Sequence, residues 1–215
     1  MGNGQFKHYV FTLVKVDRGI WLYAVFLLSG AAALMYQLIW QRVLFAIYGI
    51  DIASVTVVVT AFMLGLGIGS LVGGTLSRVL PYAALPLFAF FEFGIGLFGF
   101  FSLEIFNWVG SFTMGIGHMA TGLVTFLLVV FPTTMMGATL PLLADYATRR
   151  SGNVGRSVGS LYFVNTLGAA IGAFMAAGFL LSYLGLSTSV KAAALLNVGL
   201  GLAVVAFSRI EARMS

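Results

Sequence analysis

Glu92, in the segment FAFFEFGIG, is an acidic side chain set among aromatic and aliphatic residues about eight positions inside an apolar run. At 1.5 Å per helical residue that places it roughly 12 Å from the end of the run. Asn165, in LYFVNTLGA, falls at a similar depth in a later run, and Tyr162 lies three residues earlier on the same helical face. Gln37 sits inside the first run. Polar and ionisable groups at such depth are costly, so each is a candidate for function. A carboxylate, an amide and a phenol at one level suit a small cation or a proton. In the alternative reading Glu92 is protonated or hydrogen-bonded and holds helices together. Both readings stand at this stage.

A second cluster is Tyr36, Gln37, Trp40, Gln41 and Arg42. Gln37 and Gln41 share a face, and Tyr36 and Trp40 share the adjacent one. Trp40 and Arg42 are expected at the bilayer surface, where amphipathic rings and snorkelling cations gather. Asp145, Arg149 and Arg150 suggest an ion pair at the other surface, and His118 an interfacial position. The chain has two histidines and no cysteine, which leaves no ligand set for a metal and no thiol nucleophile. No Ser–His–Asp arrangement or phosphate loop is visible, so no catalytic residue and no cofactor are expected.

The elements that must carry these residues follow from composition. Of 215 residues 60% are hydrophobic and 8% charged, against about a quarter charged in soluble domains. Spans are expected over 20–48, 52–77, 85–103, 118–145, 158–184 and 190–207, with a longer loop over 104–117 and a turn at 185–188. Residues 1–18 read as an interfacial segment, 19–208 as the transmembrane domain and 209–215 as a short basic tail. Ala31-x-Ala33 could end a signal peptide, but the apolar stretch continues beyond it. Pro132 and Pro141 should kink or break the fourth helix. The net charge of +5 marks a membrane side rather than a nucleic-acid partner. With the N-terminus inside, Lys7, Lys15, Arg18, Arg78, Arg149, Arg150, Arg156, Arg209 and Arg213 lie on the cytoplasmic side, against Arg42 and Lys191 opposite. Both termini are then cytoplasmic.

Gly65, Gly69 and Gly73 are spaced by four, and Gly168, Gly172 and Ala176 repeat the spacing. Each run offers a smooth face where another helix backbone can approach. Their corresponding places in the two halves suggest an all-α bundle of six helices built as an inverted three-plus-three repeat.

Four blocks, SGAAALMYQLIWQRVL (29–44), ASVTVVVTAFMLGLGIGSLVGGTLSR (53–78), PTTMMGATLPLLADY (132–146) and VGSLYFVNTLGAAIGA (158–173), resemble the membrane region of bacterial spermidine-synthase-like proteins. In that family a segment like half of a major-facilitator fold is joined to an aminopropyltransferase-like domain. The resemblance implies a module of the bacterial inner membrane with a polyamine-related history. It carries no transferase residue here, because no Gly-rich nucleoside-binding turn and no acidic polyamine grip occur. Three roles follow: a non-catalytic accessory subunit packing against other membrane subunits or itself, a half-transporter for an organic cation such as a polyamine, and the membrane half of a split synthase with a cytoplasmic synthase-like partner.

Overall fold

The computed structural model describes the backbone of residues 3–48, 51–113 and 118–214, and the side chains of 20–46, 55–113 and 120–211. All the described elements are helical: α1 (Asn3–Tyr48), α2 (Asp51–Val79), α3 (Ala84–Thr113), α4 (His118–Ser151), α5 (Val154–Met175), a π-helical stretch (Ala176–Leu184) and α6 (Gly185–Met214). Among the described residues, five helical segments are long and apolar enough to cross a membrane, so the chain is a multi-pass membrane protein.

That number corrects the expectation of six separate spans, and the three-plus-three repeat and half-facilitator likeness built on it fall with it. α5, the π-helical stretch and α6 form one uninterrupted run, Val154–Glu211, of 58 residues. The expected turn at 185–188 is instead the first turn of α6. Gly185, at φ 73°, takes a backbone angle that glycine adopts without strain. The run bends there while helical structure resumes at once.

Neighbours show how the run lies. α5 travels in the same direction as α1: Gly168 faces Leu27, and Gly172 faces Ala31. α6 travels against α3: Gly96 faces Ala194 and Val198, while Gly201 faces the Phe93 ring. The run therefore doubles back, and the Trp21 ring lies 4.0 Å from that of Phe207. The start of the first apolar segment and the end of the last meet at one end of the bundle. α2 and α4 pair in parallel as well, with Gly65 on Thr133, Gly69 on Gly137 and Gly73 on Ala138. Because these glycines lack a Cβ, dispersion contacts form directly between backbones.

Two further expectations are corrected, the loop over 104–117 and a break in the fourth helix. The loop placed at 104–117 is helical through Thr113: Phe106, Val109, Gly110 and Thr113 share a buried face, leaving Asn107, Trp108 and Ser111 exposed. α4 runs unbroken through Pro132 and Pro141. The hydroxyls of Thr133 and Thr134 donate to the carbonyls of Val129 and Val130, each at 2.8 Å, which adds side-chain bonds to the turn that contains Pro132. Residues 3–18 continue α1 and α6 reaches Met214, so the backbone at both ends is helical. The side chains of Lys7, Lys15, Arg18, His118 and Arg213 lie outside the described residues.

A buried carboxylate beside a polar cavity

Glu92 projects from the face of α3 that also carries Phe88, Ile95 and Gly96, all buried. It is fully buried. The close approach of α3 and α6 at Gly96 and Gly201 lets short polar side chains meet across the interface. Ser29 of α1 donates to Glu92 Oε1 at 2.6 Å, and Asn197 of α6 donates its amide to Oε2 at 2.5 Å. One carboxyl group thus ties three helices together. No ion pair reaches Glu92 among the described residues. A bare carboxylate without a basic partner is costly in such surroundings, so the group either keeps a proton or takes a cation beside it.

Ser29 and Asn197 also face a cavity of about 200 Å³, whose wall includes Ser70, Tyr162 and Asn165. Glu92 stands behind that wall and is reached through its two donors. The Asn197 carbonyl oxygen and the Tyr36 hydroxyl are buried without a hydrogen-bond partner among the described residues. The cavity opens at the bundle surface between α2 and α5, since Leu66, Ser70 and Tyr162 line it and are exposed.

The sequence candidates therefore divide. Tyr162 and Asn165 come together on the cavity wall, yet neither touches Glu92. Tyr162 is 62% exposed. Gln37 is half-buried and lies away from the cavity. Trp40 is corrected from the bilayer surface to the core: it is fully buried, packed against the rings of Tyr36, Phe62, Phe98 and Phe106. Its indole N–H donates to Ser102 at 3.0 Å, which satisfies the polar end inside the bundle. Arg42 is exposed. Arg149 pairs with Asp145 at 2.8 Å.

Sequence reasoning missed Asn197 and Ser29. Asn197, in LLNVGLG, is an amide inside an apolar run, and the rule that singled out Glu92 applies to it equally. Serine gives a fainter signal, because in helices its hydroxyl often bonds its own backbone. No family model, no curated protein and no solved structure matches this chain.

Proposed function

We propose that this protein is a non-catalytic membrane subunit that packs sideways against another membrane protein, or another copy of itself, across the faces of α2 and α5. The observation that supports this reading is the cavity mouth. Ser70 lies within the span of α2, and Tyr162 and Asn165 lie within that of α5. Polar groups opening sideways at that depth face hydrocarbon unless a neighbour covers them, and hydroxyl and amide groups commonly bridge helices in membranes. The basic helix ends belong on the cytoplasmic side of a bacterial inner membrane in this reading. The chain holds no cysteine, so Ser70→Cys and Tyr162→Cys can be cross-linked without background in native membranes. A stoichiometric product, from either position, is expected. Monomers alone, with lipid reagents reaching both positions freely, would refute the reading.

The site at Glu92 favours a second reading, a half-transporter-like module for a small organic cation such as a polyamine. A carboxyl group reached through Ser29 and Asn197 offers the negative site that a cation needs at depth. Labelled polyamine should then bind in proteoliposomes, and Glu92→Gln should abolish binding while leaving the fold intact. Wild-type protein that binds no polyamine would sink this reading. The membrane half of a split aminopropyltransferase-like enzyme is supported by the four sequence blocks alone, and a synthase-like protein co-purifying with the chain would test it.

A further inference from the structure

The end of the bundle marked by Trp21 and Phe207 carries a second cavity, of about 720 Å³. It is framed by the connection from α2 to α3, the last turns of α4 and the last turns of α6. Two of its arginines have acidic partners. Arg149 bonds Asp145 at 2.8 Å, and Arg150 bonds Glu211 at 2.6 Å, with the Tyr146 hydroxyl donating to the same Glu211 carboxylate at 2.8 Å. Arg209 has no such partner among the described residues and is exposed. Three guanidinium groups therefore meet two carboxylates, and one positive charge is left over on the wall.

Part of the wall is apolar, formed by Ala84, Leu85 and Pro86 where α3 begins. Tyr82, 94% exposed, stands at the rim. A planar guanidinium fork matches two phosphate oxygens. Basic pockets between helices at a membrane surface suit lipid headgroups, and an apolar wall running into the bilayer suits the first methylenes of an acyl chain. We propose that this pocket binds a phosphate group, borne by an anionic phospholipid or free in solution, with Arg209 as its principal contact and Arg149 beside it. The inference is independent of the role of the Glu92 site.

Native mass spectrometry of the full chain in mild detergent tests it, with equal phosphatidylglycerol and phosphatidylcholine added and inorganic phosphate titrated in. Wild-type protein should retain phosphatidylglycerol preferentially, and Arg209→Gln should weaken that retention about fivefold, from roughly 1 kcal/mol per basic residue near the surface. Arg209→Lys should recover part of it. Because Arg209 holds no partner among the described residues, the melting temperature of the glutamine variant should match wild type. Retention that survives high inorganic phosphate identifies a lipid, and displacement by phosphate identifies a free anion. Equal retention of the two lipids with no phosphate binding, or an Arg209→Gln variant indistinguishable from wild type, would overturn the proposal.

Discussion

Replacing Gly69 by alanine adds one methyl group, and the expected result is a loss of stability where helix propensity alone forecasts a gain. Alanine is favoured over glycine inside a helix by about 1 kcal/mol. At position 69, however, a Cβ would lie 2.8 Å from the Gly137 Cα and 2.9 Å from the Ala138 nitrogen. The Thr134 carbonyl oxygen is nearer still. These are backbone atoms of α4 and cannot swing aside as a side-chain tip would. Restoring an ordinary 3.4 Å contact to the Gly137 Cα requires α2 and α4 to part by at least 0.6 Å (3.4 − 2.8). A gap of about 0.5–1 Å already forfeits a quarter to a half of each dispersion contact, and overpacking of this kind costs about 1–3 kcal/mol. Gly172→Ala should behave alike, since its Cβ would lie 2.6 Å from the Ala31 Cα. Gly74→Ala is the control, with nothing within 4 Å of its added methyl, and should be neutral or stabilising. Thermal unfolding in detergent, read with the same lipid present, compares the three. If Gly69→Ala and Gly172→Ala melt with Gly74→Ala, the backbone contacts do not hold the bundle together.

Other expectations can be checked with single substitutions. Glu92→Gln should be nearly silent in thermal stability, because rotation of the Asn197 amide presents its unpartnered oxygen to the new donor. Glu92→Leu should lose both interhelical bonds and about 1–2 kcal/mol; equal melting of the two variants would deny the carboxyl its linking role. Trp40→Phe should cost about 1 kcal/mol for the bond to Ser102, and a wild-type melting temperature would show that bond to be idle. Single cysteines at Ser151 and Ser208 should react with an impermeant maleimide from one side of the membrane, and one at Ser187 from the other. Labelling of Ser187→Cys and Ser208→Cys from the same side would show that the final run does not double back at Gly185.

Much of the helical plan was legible, because some 20 apolar residues in a row have few other places to go. The inward faces were not. A membrane helix apolar on every side carries no stripe to point at its neighbours, so Trp40 fitted a surface belt as well as a core. The loop assigned to 104–117 rested on Asn107, Trp108 and Ser111, which are merely the exposed side of a helix whose buried side carries Phe106 and Thr113. Gly110 belongs to that buried side too. The join between α5 and α6 misled for a different reason: Gly-Leu-Ser-Thr reads as a turn, yet one glycine angle suffices to bend the run. Glu92 stood out because an acid in an apolar helix has no ordinary explanation, whereas its partner Asn197 required the same reasoning to be applied to an uncharged amide.

Packing and the polar site depend on the same absent side chains. At Gly30 a Cβ would lie 2.6 Å from the Asn165 Oδ1, so the bare backbone of α1 leaves the room that this amide occupies beside the cavity. At Gly96 and Gly201 the nearest atoms of the facing helix lie at 2.9 and 3.0 Å from where a methyl would be. That closeness brings α3 and α6 near enough for Glu92 and Asn197 to bond directly. A larger residue at these positions would separate the helices and leave buried polar atoms short of partners, which costs more in hydrocarbon than the lost contact itself. The glycines therefore do two things with one substitution pattern. They bring backbones together, and they hold a hydroxyl and two amides on the wall of a cavity whose mouth, between α2 and α5, faces outward, with a carboxyl behind that wall.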